Sequence, residues 1–585
     1  MSNKTIFVSQ PVRPPCCYTA LPFSAIEIRS DGYISAMVKR DHILIAVDDA
    51  AIRGLLREYH RPLWPVRTLC RMFAVAAVAL VTGCASVRYD VPRPPSHAID
   101  HPEETFLGRT FASQLAASSG QSGFHLLVSG QDAFLARAAL AESAERTLDL
   151  QYYIVSEDAT ATLLLYRALR AARRGVRVRL LIDDMYAAGR DFDLATLAAH
   201  PNVQVRVFNP FLHRGPLGIF RLLEYFGDST RLNRRMHNKL WIVDNAAAVI
   251  GGRNLGDAYF AAHGESDFAD LDVLAAGPVV AEVSRSFDEY WNSEWAVPIQ
   301  AFLGEPPGAG QLDLVFSEMA ARAERFRESE YARTLRATDL GRLVRSGQFP
   351  LIPARATALY DAPAKPQAKD AEQPGHIFSV LRNTIESAQQ EVILISPYFI
   401  PSERGMGVLC ALARRGVRVS VLTNSLASTD VPVVHAGYAR YRPRLLACGV
   451  ALHELRSSAT RSGGARLGLS SGASLHTKAV VVDRKVVLVG SMNLDPRSRL
   501  SNSEISVLIE SAVLGEQLGT LFEDATALDQ AFRVELTEPG NEHAPLAWTG
   551  REEGNVVRYT SEPLASLWRR IVSGLLGALA PEELL

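Results

Sequence analysis

Two kinds of hydrophobic pattern alternate along this chain. "LDLQYYIV" (Leu148 to Val155) alternates apolar and polar positions with aromatic residues, which predicts a strand. "TATLLLYRALRAARRG" follows, with apolar residues at helical spacing from Leu163 to Ala172 and Gly175 placed to cap the C-terminus. "VRVRLLIDD" then predicts another strand. The order recurs further on: "EVILISPYFI" (Glu391 to Ile400) predicts a strand, "GVLCALARRG" (Gly407 to Gly416) a helix ending in glycine, and "VRVSVLTNS" a strand. The heptapeptide "ARRGVRV" begins at Ala172 and again at Ala413, 241 residues later. Alternating strands and helices predict α/β sandwiches with mixed sheets, and the repetition predicts two duplicated lobes.

A second repeat carries chemistry. "RMHNKLWIVDNAAAVIGGRN" begins at Arg235 and "SLHTKAVVVDRKVVLVGSMN" at Ser474, with their histidines 239 residues apart. On a strand, residues i and i+2 share a face, so His237 sits beside Lys239 and His476 beside Lys478. Asp244 and Asp483 complete the two motifs. Their odd offset from the histidines turns them to the opposite face, so they are expected to support structure rather than touch substrate. A strand returning after a tight turn brings back Gly252 and Asn254 in the first copy, and Ser491 and Asn493 in the second. Asn amides and a Ser hydroxyl can bind anionic oxygens, and a Gly lets backbone approach closely.

Two His, two Lys, two Asn and a Ser suit a phosphodiester. The cations stabilise charge on the non-bridging oxygens, one imidazole attacks phosphorus, and the other protonates the leaving alkoxide. The two histidines then need opposite starting protonation states. A carboxylate on the far ring nitrogen favours the charged form, and Asp272 and Glu504 are candidates for this orienting role. No Cys/His cluster has zinc spacing, and paired lysines argue against a bound cation, so no metal and no cofactor are expected.

These motifs resemble the phospholipase D superfamily, and "RGVRVRLLIDD", "FADLDVLAAGPVV", "LTNSLASTDVPVVHAGYARYR" and "NLDPRS" are similar to bacterial cardiolipin synthases of the C type. The resemblance runs from about Gly123 to the C-terminus. It implies two phospholipase D-like α/β/α lobes sharing one active site at a pseudo-two-fold interface, with His237, Lys239, Asp244, His476, Lys478 and Asp483 as its catalytic motifs. It further implies phosphatidyl transfer to phosphatidylglycerol through a phosphohistidine, usually on the first-lobe histidine. Phosphatidylglycerol or phosphatidylethanolamine is the donor, and no protein partner is specified. Hydrolysis to phosphatidic acid is the alternative. A nucleic-acid phosphodiesterase ranks lower, because 62 basic and 63 acidic residues leave a net charge of −1 and no basic-aromatic surface pattern is evident.

The chain of 585 residues divides, on this reading, into a leader (1–83), a Pro-rich tether (84–105), the first lobe (106–303), a connecting insertion (304–375), the second lobe (376–535) and a tail (536–585). In the leader, Arg67 and Arg71 precede an apolar run, Met72 to Val81, too short to span a bilayer. "Val81-Thr82-Gly83-Cys84" resembles a lipoprotein cleavage box, with Cys84 as the acylated residue, which predicts a membrane-attached protein of the bacterial envelope. Translation starting near Val66 or Met72 would place this segment at the N-terminus. The Ser/Gly-rich loop 456–474 is expected to form a rim or lid. Arg231, Arg234 and Arg235 are candidates for attracting anionic head groups. "NPFLHRGPLGIFRLLEYFGD" reads as a lipid-entry wall or a packed loop with a short helix. "PLASLWRRIVSGLLGALAP" reads as a docked or an interfacial helix. Cys410 and Cys448, in apolar helical text, are expected as two buried thiols.

Overall fold

The computed structural model describes a small hairpin (Ile26–Ile28 with Ile34–Ala36) and, separately, residues 87–579 apart from 89, 119, 188, 215–217, 263–266, 304, 346–348, 366–375 and 458–473. The cleavage-box segment with Cys84, most of the candidate lid and the polar end of the insertion lie outside the described residues.

The first lobe contains β1 (Ser122–Leu127), β2 (Thr147–Tyr152), β3 (Arg177–Asp183), β4 (Val203–Phe208), β5 (Leu240–Val243), β6 (Ala247–Gly251), β7 (Asp272–Ala276) and β8 (Ala296–Pro298). They pair in the order β8-β4-β3-β2-β5-β6-β7-β1, with β2, β3 and β4 parallel and the other pairings antiparallel. The second lobe contains β9 (Ile352–Tyr360), β10 (Glu391–Ile395), β11 (Arg418–Asn424), β12 (Ala451–Leu455), β13 (Ala479–Val482), β14 (Val486–Gly490), β15 (Ile505–Glu510) and β16 (Ala531–Leu536). Their order, β16-β12-β11-β10-β13-β14-β15-β9, repeats the first lobe strand for strand. The duplication read from the sequence is therefore a duplication of topology.

The segment 304–375, read as a connection, is more than that. β9 lies within it, pairs with β15 through Arg355–Tyr360 and with β1 through Ile352–Ala354, and so joins the two sheets edge to edge. Ahead of it stand the helices Ala309–Arg327 and Glu330–Ala337, separate because Ser329 caps the second by accepting from the Ala332 amide. The tail likewise begins with sheet: the hairpin Leu546–Glu552 and Asn555–Tyr559 extends β16.

Sequence explains the central elements. β13 (AVVV) and β14 (VVLVG) are β-branched runs buried along nearly their whole length, as sheets covered on both faces require. The helix Ala159–Arg173 starts at Asp158, whose carboxylate accepts from the Ala161 amide, and ends where Gly175 takes a positive φ of 101°. Gly416 does the same, at 86°, after the helix Ser402–Arg414. One hydrophobic layer belongs to both lobes: Leu240, Ile250 and Val273 share a buried cluster with Val481, Val489 and Ile505. The helices Pro278–Trp291 and Ala512–Ala525 contribute Phe287 and Leu518 to it. This common core fixes the lobes against each other and holds their motif loops together.

Cys410 and Cys448 are not separate thiols. They form a disulfide with Cα atoms 5.4 Å apart. Cys410 lies on Ser402–Arg414 and Cys448 directly follows the helix Arg442–Ala447, so the stacking of two helices, invisible to local pattern, joins them.

Candidate active site

Each His-x-Lys segment runs just ahead of a strand, β5 or β13, and is pinned by the opposite lobe. The His237 amide donates to the Ser503 carbonyl (2.9 Å), and the His476 amide to the Ala269 carbonyl (2.8 Å). The residue after each of those carbonyls is acidic. Main-chain pairing across the interface thus delivers Glu504 to His237 and Asp270 to His476. His237 Nδ1 lies 2.9 Å from Glu504 Oε2, and His476 Nδ1 lies 2.6 Å from Asp270 Oδ2. Both imidazoles are buried to within a few per cent, with Lys239 and Lys478 at 0% and 2% exposure. Each lysine ammonium donates to the carbonyl of its own histidine. Aromatic rings wall the site: Tyr153 stands 5.1 Å from His237, and Phe268 and Tyr259 stand 5.1 and 5.4 Å from His476.

The electrostatics differ between the halves. His237 is held well below the ordinary imidazole pKa by burial, then by Lys239 and Lys478. His476 is also lowered, by burial and Lys478, but Asp270 opposes the shift. Burial alone would raise Asp270; His476 and Lys478 outweigh it and hold that carboxyl below its usual range. Glu504 goes the other way, pushed up to about 7 by burial. Lys239 is pushed down to about 7, again chiefly by burial. Asp270 thus helps His476 hold a proton against burial, whereas burial and both lysines favour a neutral ring at His237.

Asp272 does not orient a histidine. Its carboxylate is buried against Arg137 (2.9 Å) and Arg253, and it accepts from the Arg253 amide. Strand register explains the difference. Gly251 pairs with Asp272 and Gly490 with Ser506, so Asp272 matches Ser506, and the match to Glu504 is Asp270. Aligning "DLDVL" (Asp270 to Leu274) with "EISVL" (Glu504 to Leu508), rather than counting from the histidines, would have found Asp270. Tyr153 and Tyr259 were also missed, because nothing in a local pattern separates a site aromatic from a core one.

The candidate phosphate-binding groups are mostly engaged elsewhere. Asn254 accepts from the Ile154 amide and donates to the Tyr259 hydroxyl. The Ser491 hydroxyl donates to Glu504 and accepts from the Ile505 amide, so it supports the orienting carboxylate. Gly252 backs Asp270: a Cβ there would meet Asp270 Oδ1 at 2.2 Å. Asn493 is buried, and its backbone N–H donates to the Ser498 hydroxyl. Asp244 and Asp483, grouped by motif with the catalytic residues, reach no imidazole or ammonium. Asp244 accepts from the amides of Glu145, Arg146 and Thr147, and Asp483 from those of Gln389, Gln390 and Glu391. Both stand in two-residue turns whose central residues have φ between 49° and 52°. Of the flanking arginines, Arg235 is fully buried against Asp183, and Arg231 is bound to Glu224 and Asp228 rather than presented to solvent.

One basic site, built reciprocally by two copies of one α/β lobe, defines the class of molecule. The family model described as "Cardiolipin synthase, PLD-like domain" matches residues 138–291 and 381–526, one match in each lobe. The chain belongs to that family. It is 40% identical over 475 residues to cardiolipin synthase C of Escherichia coli (strain K12), covering 80% of this chain and 97% of that protein. It is 27% identical to cardiolipin synthase A of Pseudomonas entomophila (strain L48), over 72% of this chain and 71% of that one. Among solved structures, the phosphatidylserine synthase of Haemophilus influenzae Rd KW20 aligns with 73% of this chain and 92% of its own, at 12% identity and a TM-score of 0.48.

Proposed function

We propose that this protein is a phosphatidyltransferase that makes cardiolipin, carrying a phosphatidyl group from one phospholipid to the terminal glycerol hydroxyl of phosphatidylglycerol. The observation that carries the reading is the reciprocal pairing of His237 with Glu504 and His476 with Asp270, each across the lobe interface. In the first step neutral His237, its Nδ1–H directed at Glu504, attacks phosphorus through Nε2. The imidazolium of His476 gives its proton to the departing alkoxide, which leaves as glycerol from phosphatidylglycerol or ethanolamine from phosphatidylethanolamine. In the second step His476, now neutral, takes the proton of the acceptor hydroxyl as its oxygen displaces His237 from phosphorus. Lys239 and Lys478 stabilise the charge that builds on the non-bridging oxygens. A phosphate anion beside Lys239 favours the charged ammonium that burial weakens.

The test is purified protein with labelled phosphatidylglycerol, with and without phosphatidylethanolamine, and products resolved by mass. Cardiolipin supports the proposal, whereas phosphatidic acid alone would make the protein a hydrolase. Denaturation in alkaline detergent, in which a P–N bond survives, should trap the phosphatidyl group on His237, and His237→Ala should abolish the trapped species.

Attachment to the envelope through acylated Cys84 completes the proposal. The Cys410–Cys448 disulfide supports it, since such bonds persist outside the reducing cytosol. Mass spectrometry of the mature N-terminus decides: a chain beginning unmodified at Met1 would refute it.

A further inference from the structure

Two short helices are oriented opposite to what burial of apolar surface dictates. In Leu567–Leu579, the side chains of Leu567, Trp568, Ile571 and Leu575 are 73%, 73%, 46% and 60% exposed. At about 100° per residue these four fall within one arc of roughly a quarter turn. Among the described side chains, polar groups hold the side turned to the body: Arg569 donates to the Thr429 carbonyl, Arg570 to the Glu562 carbonyl, and Ser573 is buried, with Val572 half-buried beside them. The helix Gly218–Gly227 repeats the arrangement. Glu224 is held against the body by the Leu212 and His213 amides and by Arg231, and Tyr225 donates to Asn233. Leu222, Leu223 and Phe226 face outward at 50%, 59% and 72% exposure. A water-facing helix surface would carry the opposite assignment.

Both helices are anchored to the rim of the active site, one on each lobe. Phe211, which leads into the first, donates its amide to Asp184, two residues from Tyr186. Tyr186 stacks edge-on with Tyr153, the ring beside His237. Thr429, which holds the second, adjoins Asp430, whose charge acts on Lys478. These rims are pseudo-symmetric, since they follow β3 and β11, the matching strands of the two lobes. Among the described residues no helix is long and apolar enough to cross a membrane.

We propose that these helices form a two-pronged bilayer-docking face, which seats the mouth of the active site on the lipid surface. The occupant is a bilayer rather than a protein because both apolar stripes are tied to residues beside the two histidines, and the proposed substrate is itself a membrane phospholipid. Trp568 sits at the start of its stripe, where an indole settles at the head-group level. The choice of a bilayer as occupant rests on the phospholipid reading of the active site.

The experiment uses the full chain carrying Cys84→Ala, which removes the acyl anchor, and vesicles of phosphatidylglycerol and phosphatidylethanolamine in equal parts. Two variants are compared with this parent: Leu567→Ser/Trp568→Ser/Ile571→Ser and Leu222→Ser/Leu223→Ser/Phe226→Ser. Each should lower the vesicle partition coefficient about 100-fold. Turnover of a short-chain phosphatidylglycerol dispersed as monomers should stay within about threefold of the parent. Partitioning unchanged within about threefold would overturn the proposal. So would sedimentation velocity showing that the substitutions split a dimer while partitioning holds. A second measurement needs only one conservative variant, Trp568→Phe. Acyl chains brominated near the head group should quench the parent more than Trp568→Phe, and equal quenching would overturn the proposal. Failure of the short-chain turnover in the parent, with vesicle binding intact, would count against the phosphatidyltransfer reading alone.

Discussion

Replacing Asp270 by Asn tests the division of labour between the two imidazoles. The substitution keeps shape and hydrogen-bonding capacity but removes the anion 2.6 Å from His476 Nδ1. With about 4 Å between charge centres and an effective dielectric near 20, the lost attraction is about 4 kcal/mol. A neutral amide oxygen accepting the same N–H recovers about 1 kcal/mol. The remaining 3 kcal/mol or so, at about 1.4 kcal/mol per decade, is a loss of about 100-fold in kcat. KM should hardly change, because Asp270 lies behind the ring rather than against the lipid. The proton that His476 must carry is also bound less tightly. The alkaline limb of the kcat profile, where the acid loses its proton, should therefore move to lower pH. The assay is initial-rate cardiolipin formation by mass spectrometry across a pH series, with thermal melting to confirm the fold. A kcat within threefold of the parent and an unmoved alkaline limb would refute the assignment of His476 as the acid. Asp272→Asn is the informative comparison. It leaves Arg137 and Arg253 short of a buried anion, so it should destabilise the protein without moving the pH profile.

Other expectations follow from the same contacts. Gly252→Ala puts a Cβ against the Asp270 carboxylate and should lower kcat at least tenfold with about 1–3 kcal/mol of stability lost, read by rate and denaturant melt. Asp244→Ala strands three backbone amides and should cost about 3 kcal/mol of stability while the folded fraction keeps most of its kcat. Cys410→Ser/Cys448→Ser removes a cross-link between residues 38 apart and should cost about 3–4 kcal/mol on the chain-entropy model, lowering Tm with little effect on turnover. His453 is lowered to about 4 by burial, then by Arg533, so the unfolded chain binds a proton there more readily than the folded one. Its contribution is complete above the unfolded value near 6.5 and is lost as pH falls through 4, about 3 kcal/mol in all, and His453→Gln should flatten that part of the stability curve.

The chain's linear order determined a good deal. The apolar alternation of β2, the helical stripe of Ala159–Arg173 and their later copies fix the lobe, because strand and helix periods are local properties of the backbone. The repeated His-x-Lys, glycine and asparagine spacing marks a shared site, because equal offsets in two copies place equal groups on equivalent strands. The odd offset of Asp244 and Asp483 was enough to predict that they face away, and turn geometry accounts for what they do there.

Four matters were decided only by tertiary packing. Asp270 reaches His476, and Glu504 reaches His237, through main-chain pairing between segments more than 200 residues apart, which no local period encodes. Asn254 and Ser491 have the right donors for phosphate, yet folding commits them to Ile154, Tyr259 and Glu504, since a buried polar group takes the partner its neighbours supply. Cys410 and Cys448 become one disulfide because two helices stack, and the outward turn of Trp568 and Phe226 depends on which side of each helix finds partners on the body. Period and spacing are carried along the chain. Pairing, charge state and exposure belong to the space between segments, and only the folded interface defines that space.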